Sequence, residues 1–199
     1  MRKVIINEFM SLDGVVQAPG GREEDPSGGF AHGGWHLEGG YFDERSQASV
    51  LKSIVDADAF LLGRRTYEIF AAYWPNAPDE EAVIAEPLNA KPKYVASATL
   101  AEPLEWEGST VLQGEVGDAV AALKEKGEGE IHVIGSSQLV RTLLERDLVD
   151  ELRLMLDPVV LGGGKRIFAD DGVRRRFRLV AGEVTSTGAI LATYAPAAD

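Results

Sequence analysis

The chain has 199 residues, 45% of them hydrophobic and 26% charged, with no cysteine and a formal net charge of −12 at pH 7. That is enough chain for one domain with a sizeable core, and it excludes disulfides and thiolate metal sites. The acidity argues against nucleic acid and anionic membrane surfaces as partners, since both require a basic face.

In chain order, residues 3–9 (Lys-Val-Ile-Ile-Asn-Glu-Phe) read as a first strand. The apolar run Val4-Ile5-Ile6 is too short for a signal peptide or membrane span. With the lack of cysteine, it fits a cytoplasmic protein. Residues 17–40 hold eight glycines and two prolines. A loop of this length is usually a functional lid or disordered. Ala48, Leu51, Ile54 and Val55 predict a helix over 43–57. Ala59 to Leu62 reads as a short buried strand. The helix from Thr66 to Trp74 is stopped by Pro75. Pro78-Asp79-Glu80-Glu81 resembles a helix start, with acids in its first turn.

Lys93 to Ser97 and Ser109 to Gln113 read as strands. Val116, Ala119, Val120 and Leu123 mark a helix closed by Gly127. Ile131 to Ile134 is another buried strand, and Leu139 to Leu144 carry the helix after it. Glu151 to Leu161 reads as a long strand, and 177–185 with 189–195 as a terminal hairpin. Interleaved strands and helices predict an α/β fold in three layers. Its mostly parallel sheet of about eight strands would be covered on both faces, with an antiparallel C-terminal hairpin. No linker or repeat divides residues 1–199, so one domain is expected.

Two strand-to-helix junctions carry the chemistry. One is Leu61-Leu62-Gly63-Arg64-Arg65-Thr66-Tyr67-Glu68, and the other is Ile131-His132-Val133-Ile134-Gly135-Ser136-Ser137-Gln138. Each passes from a buried strand through a glycine into a helix. A helix N-terminus offers unpaired N–H groups and partial positive charge, which suits phosphate. Two such ends in a small domain point to a dinucleotide. The plainer readings are a tight turn with a Thr cap at the first and a Ser N-cap at the second.

These motifs resemble those of the dihydrofolate reductases. Gly63 to Glu68 is similar to their Gly-Arg-x-Thr-Trp/Tyr-Glu motif, and Ile134 to Ser137 to their Ile-Gly-Gly-Gly turn. Ser11-Leu12-Asp13-Gly14, with Leu148 to Leu152 leading to Asp157-Pro158-Val159-Val160-Leu161-Gly162, resembles a sister group more closely. That group is the reductase domain of the riboflavin-biosynthesis deaminase-reductase, the RibD C-terminal domain family. The likeness covers nearly the whole chain and includes no deaminase domain. It implies the dihydrofolate-reductase fold, an NADPH cofactor and a homodimer. It sets Gly63, Arg64, Arg65 and Thr66 at the diphosphate and adenosine phosphates, and Ser97 at the 2′-phosphate or adenine. Gly135, Ser136, Ser137 and Gln138 fall at the pyrophosphate and nicotinamide side. The segment from Asp13 to Gln17, Val16 included, falls over the nicotinamide.

The chain departs from both groups. Counting back from Gly63 puts Gln47 where dihydrofolate reductases carry a pteridine-binding carboxylate. Ile134-Gly135-Ser136 replaces the Glu-Gly-Gly usual in the riboflavin-pathway enzymes. The expected function is therefore an NADPH-dependent reductase of a small heterocyclic, imine or carbonyl substrate. The alternatives are a riboflavin-pathway 5-amino-6-(5-phosphoribosylamino)uracil reductase and a non-catalytic NADP-binding protein. Phe9, Trp35 and Gln47 are the candidate substrate contacts. Trp35 reads equally well as an anchor of its loop. Asp13 is the candidate proton relay, or a plain turn residue. Gly162-Gly163-Gly164-Lys165-Arg166 lacks the pattern of a P-loop and reads as a loop after a strand. His32 and His36 lie among glycines that disfavour a helix, so no metal site is expected.

Overall fold

The structure, a computed structural model, describes residues 1–197. The last two residues of the expected 1–199 domain lie outside them. The eight strands are β1 (Lys3–Ser11), β2 (Ala59–Gly63), β3 (Lys93–Ala96), β4 (Ser109–Val111), β5 (Glu130–Ile134), β6 (Glu151–Asp157), β7 (Phe177–Val184) and β8 (Ile190–Pro196). They form one sheet in the order β4-β3-β2-β5-β1-β6-β8-β7. The pairs from β4 to β6 are parallel, and β8 runs antiparallel to both β6 and β7. The helices are α1 (Glu44–Asp56), α2 (Arg64–Tyr73), α3 (Ala82–Ala90), α4 (Val116–Glu125) and α5 (Ser137–Glu145).

The central strands are short apolar runs because both of their faces are covered. One cluster joins Val4, Ile6 and Met10 of β1 to Leu139, Val140 and Leu143 of α5 and Val120 of α4. A second joins Phe60 and Leu62 of β2 to Ile54 of α1, Leu88 of α3 and Trp106. Full burial of each such side chain contributes about 1.5–3 kcal/mol. Among the described residues no helix is long and apolar enough to cross a membrane.

Three expectations shift. β6 ends at Asp157 rather than Leu161, because Pro158 has no N–H for the ladder. Asp79–Glu81 form a short 3₁₀ turn, and α3 begins only at Ala82. In the terminal hairpin the second strand, β8, lies against β6 and leaves β7 outermost. Most of β7 is exposed, with Leu179, Val180 and Val184 among its uncovered apolar side chains.

The glycine-rich segment 17–40 is pinned by side chains. Trp35 Nε1 donates to the Gln17 carbonyl at 2.8 Å. Gln17 Nε2 donates to the Asp25 and Ser27 carbonyls. His36 Nδ1 lies 2.7 Å from Asp157 Oδ2 at the end of β6, with both side chains fully buried. The His36 ring stacks on Phe9 at 3.9 Å.

Candidate active site

The register of β1 with β5 ends at Asn7 and Ile134, whereas its register with β6 runs on to Ser11 and Asp157. Beyond Asn7 one edge of β1 therefore has no β5 partner, and the sheet splits into a crevice at the C-terminal ends of its strands. Open α/β sheets bind ligands at such a place. A cleft of about 1380 Å³ opens there.

All the residues expected at the cofactor, from Val16 to Gln138, line this one cleft. The chain brings its two junctions into direct contact. Ser136 Oγ accepts the Gly63 N–H at 2.9 Å and lies 3.0 Å from Thr66 Oγ1 and 3.1 Å from the Ile134 carbonyl. Gly135 and Ser136 both have left-handed backbone, at φ 56° and 66°. For a serine that conformation is uncommon. A Cβ on Gly135 would sit 3.3 Å from Thr66 Oγ1, so a larger residue would push the junctions apart. Neither Gly63 nor Ser136 makes a side-chain cap to its helix. The first N–H groups of α2 and α5 thus lack intrahelical acceptors, and their dipoles favour an anion in the cleft.

The cations of this wall are held by acids of the chain. Arg64 pairs with Glu68 at 3.0 Å. Arg65 pairs with Asp25 of the glycine-rich segment, which Lys165 Nζ also meets at 2.5 Å. Burial opposes ionisation of Asp25, but hydrogen bonds from Lys165 and Ser27 outweigh it and keep its pKa below the ordinary value. Ser97, just beyond β3, accepts the N–H groups of Thr99 and Leu100 and so shapes the turn beside the cleft.

The other end of the cleft is walled by Phe9, by Phe42, and by Ser46, Ser49 and Ser53 of α1. On the same wall Asn7 Nδ2 lies 3.2 Å from His132 Nδ1, and His132 Nε2 lies 2.8 Å from Glu130. Burial holds His132 below its ordinary pKa against the opposing pull of Glu130. Arg153, paired with Glu151, closes this end.

Three candidates lie elsewhere. Gln47 is exposed and does not line the cleft; the small serines of α1 face it instead. Trp35 is buried as the anchor of its loop and also stands outside the lining. Asp13 is outside it too. Its carboxylate accepts the Ser11 hydroxyl and the N–H groups of Leu161 and Gly162, and Arg166 pairs with it. The Ser11 hydrogen bond leads in lowering its pKa to about 2. Asp13 therefore braces two loops, and its hydrogen bonds favour the ionised carboxylate. Sequence reading missed Glu8, a buried carboxyl in the cleft wall. The signal was present, because strand alternation sets Glu8 on the same face as Ile6 and Met10.

The architecture is that of the dihydrofolate reductases. The chain belongs to the RibD C-terminal domain family, whose model matches residues 2–191, and this is a reductase family. It is 28% identical over 200 residues to the uncharacterized protein YyaP of Bacillus subtilis, covering 97% of this chain and 94% of that one. Among solved structures it is similar to a Shewanella sp. PV-4 protein provisionally assigned to riboflavin biosynthesis. That match has a TM-score of 0.69 and 22% identity, covering 98% of this chain and 99% of the other. It is also similar to Enterococcus faecalis dihydrofolate reductase complexed with NADP(H), with a TM-score of 0.60 and 15% identity, covering 98% and 97%. At these identities the structural matches establish the fold.

Proposed function

We propose that the protein is an NADPH-dependent reductase that passes a hydride to a small heterocyclic, imine or carbonyl substrate. The observation that carries this reading is the pair of uncapped helix N-termini, joined through Ser136 and Gly63, that open on one cleft. They suit a pyrophosphate. Arg64 and Arg65 are the residues for a further phosphate, since a guanidinium can grip two oxygens at once. The cleft exceeds the roughly 300–1,000 Å³ of a drug-sized pocket, which fits a dinucleotide with a substrate beside it.

The dihydronicotinamide would supply the hydride when bound. The protein's share is to orient and to exclude water. Gly135 and Ser136 present backbone to the ligand without bulk. Phe9 and Phe42 offer an apolar wall to a flat ring. Asn7, His132 and Arg153 offer polar contacts at its rim. The same reading takes the protein as a cytoplasmic homodimer, on the family likeness alone.

Fluorescence titration with NADPH and NADH tests the reading, with Arg64→Ala and Arg65→Ala alongside. Preferential binding of NADPH that one variant weakens selectively is the expected result. Binding of neither nucleotide overturns it.

A second reading is reduction of the ribosyl group of a phosphorylated aminopyrimidine, as in riboflavin biosynthesis. Family membership favours it, and its substrate phosphate requires a basic anchor. Arg153 and Lys165 line the cleft, although each is already paired with an acid.

A further inference from the structure

The cleft wall includes a glutamate for which no hydrogen bond or ion pair is present among the described residues. Glu8 stands on β1 one residue past the last register pair with β5. It is 7% exposed and lines the cleft. Its Oε1 is buried without a hydrogen-bond partner. Alternation places it on the face of Ile6 and Met10, and its register partner on β6 is Leu154. All three belong to the first apolar cluster.

Every cation of the cleft wall is engaged by another acid. Arg64 pairs with Glu68, Arg65 and Lys165 with Asp25, Arg153 with Glu151, and His132 with Glu130. The loop across the cleft adds the acids Glu24 and Asp25 to its lining, which disfavour a further negative charge. Burial raises the Glu8 pKa well above its ordinary value. Such surroundings favour the protonated, neutral form of the carboxyl over the ionised one. Burying a polar oxygen without a partner costs free energy. A ligand in the cleft that accepts a hydrogen bond would supply the missing partner.

We propose that Glu8 is the acid of this active site and delivers to the substrate the proton that accompanies the hydride. The proposal rests on the reductase reading above. The substrate carbon of a C=N or C=O group accepts a hydride from a dihydronicotinamide, and the π electron pair moves to the nitrogen or oxygen. The O–H bond of Glu8 breaks, and its proton joins that nitrogen or oxygen. The substrate is reduced by two electrons and the nicotinamide is oxidised by two. The Glu8 carboxylate is reprotonated by a proton taken up from the bulk solvent, so each turnover consumes one H⁺. This role selects substrates with a neutral acceptor atom next to the reducible carbon, an imine or a carbonyl. It also accounts for the absence of a carboxylate at Gln47, because the acid stands on β1 rather than α1.

The test compares wild-type protein with Glu8→Gln and Glu8→Asp. Carbon-13 labelling of glutamate carboxyls, with the resonance missing from Glu8→Gln assigned to Glu8, reports its protonation directly. NADPH binding is followed by fluorescence. NADPH oxidation is followed with the cyclic imine pyrroline and the ketone cyclohexanone as probes. The expected results are a Glu8 that stays protonated through neutral pH and NADPH binding unchanged in Glu8→Gln. Turnover in Glu8→Gln should fall by about 100-fold or more, with partial recovery in Glu8→Asp. An ionised Glu8 at neutral pH, or wild-type turnover in Glu8→Gln, overturns the acid role and leaves the reductase reading standing. NADPH binding without oxidation on either probe also overturns the acid role and leaves a cofactor-binding protein. Failure to bind NADPH overturns the reductase reading itself.

Discussion

The Gly63 N–H donates to Ser136 Oγ at 2.9 Å across 73 residues of chain. This bond fixes the start of α2 against the start of α5. Ser136→Ala removes the acceptor but retains a Cβ in left-handed backbone, so the strain stays while the bond is lost. An unsatisfied donor of this kind costs about 1–3 kcal/mol. The urea midpoint should fall with little change in slope, and NADPH binding should weaken. An unchanged midpoint would show that the two junctions are held by packing alone.

Asp25 pairs with Arg65, one of the two arginines proposed for a further phosphate, and with Lys165. Asp25→Asn removes the competing charge from Arg65 and Lys165. Titration of this variant should show NADPH binding a few-fold tighter than wild type, with a steeper loss of affinity as salt is raised. Weaker binding would mean that Asp25 positions Arg65 for the ligand rather than competing with it.

Asp13 contributes to stability through its charge. Its pKa in the folded protein is lowered from 3.8 to about 2. The contribution is present above 3.8 and is lost as pH falls through about 2. Asp13→Asn should flatten the acid side of the stability profile in that window and leave NADPH binding near wild type. A matching loss of NADPH binding would instead tie this brace to the cofactor wall.

His36 and Asp157 form a buried pair between the glycine-rich segment and β6. Removing one member leaves a buried polar group of the other without its hydrogen-bond partner, at a cost of about 1–3 kcal/mol. His36→Ala should make residues 17–40 sensitive to limited proteolysis. Asp157→Asn, which retains a hydrogen-bonding group, should do so less. Equal resistance in both variants would assign the order of this segment to Trp35 and Gln17.

Much of the proposed cofactor end was legible in the sequence because it is local. A strand, a glycine and an uncapped helix start are neighbours in the chain at Gly63 and again at Gly135. Their contact with each other was not legible, because it depends on β2 and β5 being adjacent in the sheet. The proposed substrate end was less legible. Gln47 was placed by counting, and the 3.6-residue period of α1 turns Ser46, Ser49 and Ser53 inward in its stead. Asp13 reads in the sequence as a proton relay or a plain turn residue, and only Leu161, Gly162 and Arg166, about 150 positions away, show what its carboxylate holds. Glu8 was written in the alternation of β1, as an acid among inward-facing aliphatics. Its significance depends on β5 stopping early.

The adjacency of β2 and β5 also bears on how the molecule is made. Residues 64–129 lie between the two junctions that meet at Gly63 and Ser136, and they include β3, β4 and three α-helices. Such non-local pairings form late, after the loops they close have lost their entropy. A chain emerging from the ribosome therefore cannot join the two junctions until β5 is inserted beside β2. On the proposed function, nucleotide binding would report on completed folding as well as on chemistry, and a ligand that bridges α2 and α5 would hold the finished sheet together.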